Sequence, residues 1–356
     1  MTRLSRLADL GTSVWLDGLV APDELRRLVA QDAVTGLTSN PTIFRTAVLE
    51  TDRYRSAIGV LAGRTALERY ETLAVADVQA VADVLHPVFA STDGHDGFVS
   101  LEVAPELARD ATGTVAAARR LWAMVDRPNA MIKIPGTPAG IEAVRDVTAV
   151  GINVNVTLLF ARAAHRAAIE AYLTGLEDRL RQGLPIAHIS SVASFFVSRI
   201  DSAVDPLLRS AGHEELTGTV AVANARLAYA DAREVFVAER FASLERAGAR
   251  PQRVLWASTG TKDPRYSDVK YVDELAGPGV VNTMPPVTLA AFRDHGCPAD
   301  TLTGTAAAAS ATLRDLSAAG IDLDAVTTRL LADGIAGFAT SMCELLAGLA
   351  APALHA

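Results

Sequence analysis

Met131-Ile132-Lys133-Ile134-Pro135, followed at once by Gly136-Thr137-Pro138-Ala139-Gly140-Ile141, decides how the chain is read. A short apolar run that meets a Gly/Pro turn and passes into a helical pattern is a strand, a turn and a helix, the order of a βα unit. The centre of the run is charged, and lysine is almost never fully buried without a partner, because taking an ammonium out of water is costly. This segment alone leaves two readings open. The side chain snorkels from a sheet edge or pairs with a carboxylate, or an amine is kept in an apolar site for its chemistry.

Outward from this segment the same order recurs. Strand-like runs occur at 13–17, 34–39, 97–103, 131–135, 153–159, 186–192, 253–258 and 279–284. Helical patterns separate them: one opening at Pro22, then 42–50, an apolar stripe from Leu67 to Val88, 109–126, 161–182, 195–210 and 221–247. An Ala-rich helix up to Gly320 and a stripe of Leu331, Ile335, Phe338, Met342, Leu345 and Leu349 follow the last strand. About eight strands, each followed by helix, predict an α/β fold of the (β/α)8 TIM-barrel type, with additional helices at the N- and C-termini. No linker-like or low-complexity tract interrupts it, so a single domain is expected over 1–356. A doubly wound open sheet is the competitor, but neither G-x-G-x-x-G nor G-x-x-x-x-G-K-[ST] follows any strand.

Half of the 356 residues are apolar and 21% are charged, the profile of a globular chain with ample core. The net charge of -8 argues against nucleic acid or an anionic membrane as partner, so a phosphate site has to be local. Cys297 and Cys343 lack metal-ligand spacing and read as two core thiols, with no disulfide framework or metal site. His86 and His95 read as surface or capping histidines. Residues 1–10 form a short amphipathic segment without a signal peptide's apolar run, and no stretch reads as long and apolar enough to span a bilayer. A cytoplasmic enzyme or binding protein is expected.

Strand side chains alternate between faces, and in a barrel covered by helices a charged strand residue should look inward. Asp17, Glu102 and Lys133 all lie near the C-terminal ends of their strands, where barrel enzymes keep their chemistry, with Asn40, Asn155, Thr157 and Ser194 beside them. Three such charges are hard to explain as core accidents. A buried amine can attack a ketone, and the resulting iminium is an electron sink that permits cleavage of the adjacent carbon–carbon bond. Cleavage needs a base for the hydroxyl proton, and iminium formation needs acid help to expel water, tasks that Asp17 and Glu102 can divide. The bland alternative makes both acids ion-pair partners of Lys133, but two acids for one base leave one over. Asn40 and Asn155 suit substrate hydroxyls or the amine, and Thr157 a water. For a phosphate, Ser258-Thr259-Gly260-Thr261-Lys262 is a small-residue turn with free N–H groups, and Arg199 offers a bidentate guanidinium.

These residues resemble those of the transaldolases, Schiff-base aldolase-like barrel enzymes of the pentose phosphate pathway. Thr38-Ser39-Asn40-Pro41 is similar to that family's T-x-N-P segment, and Ile132-Lys133-Ile134-Pro135 with Gly140-Ile141 to its Schiff-base lysine motif. Asn155-Val156-Thr157-Leu158-Leu159-Phe160 is similar to N-x-T-L-[LI]-F, and Ser194-Phe195-Phe196-Val197-Ser198-Arg199-Ile200 to S-x-F-[VI]-x-R-[IV]. The resemblance implies Lys133 as nucleophile, Asp17 as acid/base at the cleaved bond, and Glu102 and Thr157 as holders of a catalytic water. It implies Asn40 and Asn155 on substrate hydroxyls and the amine, and Ser194 and Arg199 toward the phosphate end. It further implies sugar-phosphate substrates and no metal or organic cofactor; a monomer or homodimer is expected. Many transaldolases carry an arginine two residues after the serine matched by Ser258; here that position is Gly260, and Lys262 is the substitute. A Schiff-base aldolase releasing free dihydroxyacetone, and a barrel that binds sugar phosphates without turnover, are the alternatives.

Overall fold

The computed structural model describes residues 2–351; Met1 and residues 352–356, part of the expected 1–356 domain, lie outside the described residues. Eight parallel strands close into a barrel in sequence order: β1 (Thr12–Asp17), β2 (Val34–Thr38), β3 (Val99–Glu102), β4 (Ala130–Pro135), β5 (Val154–Leu159), β6 (Ser191–Phe196), β7 (Arg253–Ala257) and β8 (Val280–Met284). β1 pairs with β8 to complete the circle. Helices cover the outside, so strand residues are buried on both faces: β4, β5, β6 and β8 are buried along their whole lengths.

The floor of the barrel is filled by Trp15. Its indole N–H donates to Asp96 Oδ1 at 2.8 Å, Thr35 Oγ1 donates to Asp96 Oδ2 at 2.9 Å, and the Arg253 guanidinium lies over the ring. Trp15 and Gly36 are register partners, and a Cβ on Gly36 would sit 2.4 Å from the indole. No side chain fits there without displacing the ring. Gly36→Ala is therefore expected to destabilise the barrel by about 3 kcal/mol or more, the upper range for overpacking, read as a lower urea midpoint at unchanged slope.

Several expectations need correction. The sixth strand is Ser191–Phe196, not 186–192. Ile186 and Ile189 are buried, which mimics a strand pattern, but they sit in a turn, and the Ser190 N–H donates to Asn153 Oδ1 at 2.9 Å rather than to a neighbouring strand. The helix after it begins at Ser198 (Ser198–Ala211), leaving Phe195 and Phe196 on the strand, and 221–247 divides into Val220–Phe236 and Glu239–Arg246. Both cysteines are exposed, Cys297 after a helix end and Cys343 on the outer face of the last helix. Finally, two helices, Ala66–Ser91 and Leu323–Ala350, are long and apolar enough to cross a membrane by length and composition. Both are built into this fold: the first packs on β3, and the second lies across the end of the barrel, where Arg69 Nη1 of the first donates to Leu349 O of the second at 2.6 Å.

Candidate active site

The C-terminal ends of the strands open into a cavity of about 290 Å³, lined by Asp17, Thr38, Asn40, Lys133, Ser194 and Arg199, with Ser258 and Lys262 at one side. Lys133 is the middle of β4, and its side chain is only 5% exposed. Nζ donates to Ser39 O at 3.1 Å and stands 3.4 Å from Glu102 Oε2, which β3 delivers because Glu102 and Lys133 are register partners. Burial raises the pKa of Glu102, and the Lys133 ammonium opposes that rise.

Asp17 is held differently. It ends β1, opens onto the cavity, and accepts from Thr38 Oγ1 at 2.8 Å; Thr38 Oγ1 is also 2.7 Å from Thr283 Oγ1. It forms no ion pair with Lys133 among the described residues, yet the charges of Lys133, Lys262 and Arg199 pull on it against a pKa rise caused by burial. The two acids thus occupy different positions around one amine: Glu102 is its ion-pair partner, and Asp17 stands apart on a hydroxyl relay.

Asn155, register partner of Lys133, is committed at both ends of its amide. Nδ2 donates to Ser100 Oγ at 3.0 Å, and Oδ1 accepts from Ser194 Oγ at 2.6 Å. Ser194 therefore lies against Asn155 inside the barrel. Asn40 begins the helix Pro41–Leu49, its Oδ1 accepting from the Ile43 N–H at 3.0 Å, so the Asn-Pro pair is also a helix cap; Nδ2 is left for the cavity. Between Val156 and Leu159 the pairing of β5 with β6 shifts by one residue, and Leu158 adopts φ 57°. Thr157 stands in this bulge, where Thr157 Oγ1, like Glu102 Oε2, is buried with no hydrogen-bond partner among the described residues.

At the other side of the cavity Ser258 follows β7 with φ 55°, its Oγ 3.0 Å from Ser198 Oγ. Arg199 is the second residue of its helix, with its guanidinium over the Phe196 ring at 5.3 Å. Lys262 is exposed at the rim and makes no hydrogen bond or ion pair among the described residues. Thr38, Thr283, Phe196 and Phe338 also line the cavity, and none of them is a site residue in the sequence reading. For the two threonines a signal existed: each is a polar residue at or next to the C-terminal end of its strand, where Asp17 also lies. For Phe338 there was none, since it belongs to an ordinary apolar helix stripe.

A closed (β/α)8 barrel with a buried lysine and two separately placed carboxyls at its C-terminal mouth defines a barrel enzyme built for carbonyl chemistry. The family described as Transaldolase/Fructose-6-phosphate aldolase matches residues 14–349. The chain is 47% identical over 357 aligned residues to transaldolase 1 of Streptomyces avermitilis, covering 98% of this chain and 94% of that one. It is 46% identical to the transaldolase of Thiobacillus denitrificans (95% and 97% covered) and 47% identical to that of Neisseria gonorrhoeae (98% and 100% covered). The chain belongs to the transaldolase/fructose-6-phosphate aldolase family. Its activity is that of a transaldolase, a transferase acting on sugar phosphates.

Proposed function

We propose that this protein moves a dihydroxyacetone unit from sedoheptulose 7-phosphate to glyceraldehyde 3-phosphate, giving erythrose 4-phosphate and fructose 6-phosphate, through a Schiff base on Lys133. The observation that carries the reading is the buried amine with one carboxylate at 3.4 Å and a second held apart on Thr38. Lys133 Nζ attacks the C2 carbonyl to give a carbinolamine, which loses water to form the iminium. Glu102 Oε2 and Thr157 Oγ1, both buried with unused hydrogen-bonding capacity, hold the water that carries the amine proton to the carbinolamine hydroxyl, which leaves as water. Asp17 takes the C4 hydroxyl proton as the C3–C4 bond breaks; the bonding electrons move into the iminium, the aldehyde leaves, and a three-carbon enamine remains on Lys133. The incoming aldehyde is attacked by that enamine, Asp17 returns the proton to the new hydroxyl, and water releases the ketose. Asn155, aligned by Ser100 and Ser194, orients the amine and a substrate hydroxyl, and Asn40 Nδ2 a second hydroxyl. The iminium serves as electron sink, so the reaction uses no metal or organic cofactor. One barrel domain over 1–356, working in the cytoplasm as a monomer or homodimer without nucleic acid or membrane, completes the reading.

The test is borohydride trapping with fructose 6-phosphate, followed by intact mass and peptide mapping. An adduct on Lys133 supports the reading; none, or one on another lysine, leaves the sugar-phosphate-binding barrel in its place.

Arg199, Ser258 and Lys262 bind the phosphate in this reading. Lys262 Nζ stands 3.8 Å from where a Cβ on Gly260 would be, so it reaches the space that a side chain at 260 would enter. Lys262→Met is expected to raise KM for glyceraldehyde 3-phosphate about tenfold, the worth of one charge-assisted hydrogen bond, while leaving KM for unphosphorylated glyceraldehyde unchanged. Adding Gly260→Arg to Lys262→Met should recover much of the loss. Equal effects on both aldehydes would place Lys262 outside the phosphate site.

A further inference from the structure

The helix Leu323–Ala350 spans the mouth of the barrel between two fixed points. At one, Gly334 lies so close to the bulge of β5 that a Cβ there would be 3.0 Å from Leu158 Cδ2 and 3.7 Å from Arg199 Nη1. At the other, Ser341 Oγ is 2.8 Å from Thr42 Oγ1, and Glu344 pairs with Arg45. Phe338 is four residues after Gly334 and three before Ser341, hence on the same helix face. It is 5% exposed and lines the cavity with Ile43 and Phe196 in an otherwise largely polar wall.

We propose that Phe338 is the apolar seal over the Lys133 enamine and thereby sets the ratio of transfer to release. The inference rests on the Schiff-base reading above. The enamine has two fates. Its nucleophilic carbon can attack the acceptor aldehyde, forming a carbon–carbon bond while the aldehyde oxygen takes a proton. Alternatively that carbon takes a proton from water, regenerating the iminium; water then adds at C2, the C–N bond breaks, and dihydroxyacetone leaves while Lys133 is restored. The second fate consumes only water, so its rate follows how well the mouth excludes solvent. A large ring fixed between two anchored points of one helix blocks that route without touching the amine.

The test compares the parent with Phe338→Ala and Phe338→Leu, measuring dihydroxyacetone release from fructose 6-phosphate without acceptor and transfer to erythrose 4-phosphate. Phe338→Ala is expected to raise the ratio of release to transfer about tenfold, and Phe338→Leu, which keeps apolar bulk, to stay within about twofold of the parent. An unchanged ratio in Phe338→Ala, or both rates falling together, overturns the inference. Should Phe338→Ala fail to fold, Phe338→Val is expected to raise the ratio about threefold, and an unchanged ratio there overturns it equally. Borohydride trapping of the parent separates the two readings. A parent without a Lys133 adduct refutes the Schiff base itself, whereas a trapped, active parent with an unmoved ratio refutes only the seal.

Discussion

Lys133→Met abolishes turnover: the expected loss is on the order of 10⁵-fold or more, the scale seen when a covalent nucleophile is removed, and borohydride no longer fixes substrate to the protein. The substitution isolates the amine because methionine keeps an unbranched chain of similar bulk within β4. Two groups lose their partner, Ser39 O and Glu102 Oε2. A carboxylate stranded in the interior would cost several kcal/mol, but burial already raises the Glu102 pKa and losing the Lys133 charge removes what opposes that rise, which favours the neutral acid and lessens the cost. A stability loss of about 2 kcal/mol is expected, with the fold retained, so circular dichroism should match the parent while activity is absent. Substantial residual activity, or an adduct mapped to another lysine, would remove Lys133 from the mechanism.

Asp17→Ala has the second-largest expected effect and separates the two carboxyls. Carbon–carbon cleavage should slow by about 10²–10⁴-fold, the usual worth of a positioned general base, while trapping of the iminium falls much less. Geometry motivates the split: Glu102 pairs with the amine, whereas Asp17 accepts from Thr38, which also meets Thr283, and makes no ion pair with the amine among the described residues. If trapping fell as far as cleavage, the division of labour would be wrong. Protonation gives an independent reading. Burial raises the pKa of Asp17, and this dominates the opposing pull of Lys133. Its basic form is therefore lost, as pH falls, at a higher pH than for an ordinary carboxylate, so the acid limb of kcat lies above the usual carboxylate range. The residual activity of Asp17→Asn should lack that limb.

The barrel and its candidate site were legible in the sequence because both depend on local order. Each strand is a short apolar run beside a helix pattern, and a charge at the C-terminal end of a doubly covered strand has one place to go. Asp17, Glu102 and Lys133 were found that way, and β3 and β4 bring the last two together by simple register. Strand six slipped because burial, not strand pairing, made 186–192 apolar: Ile186 and Ile189 are core residues of a turn. The core reading of the cysteines fails because a thiol in an apolar helix does not reveal which face it occupies, as at Cys343, and because Cys297 lies beyond the end of its helix. Likewise, two long apolar helices can be read for composition, but their packing against the barrel cannot.

The sequence by itself therefore determined the fold, through strand and helix periodicities that hold within a dozen residues, and the candidates for the reactive groups, through charges placed where an apolar strand should have none. Tertiary structure alone decided how those groups share hydrogen bonds: Asn155 satisfied at both ends, Asn40 half spent on a helix cap, Asp17 apart from the amine. It alone also laid the last helix over the mouth and Phe338 into the cavity. The reason is physical: periodicity is set by neighbours in the chain, whereas each of these contacts joins segments distant in sequence, and its geometry exists only once the barrel has closed.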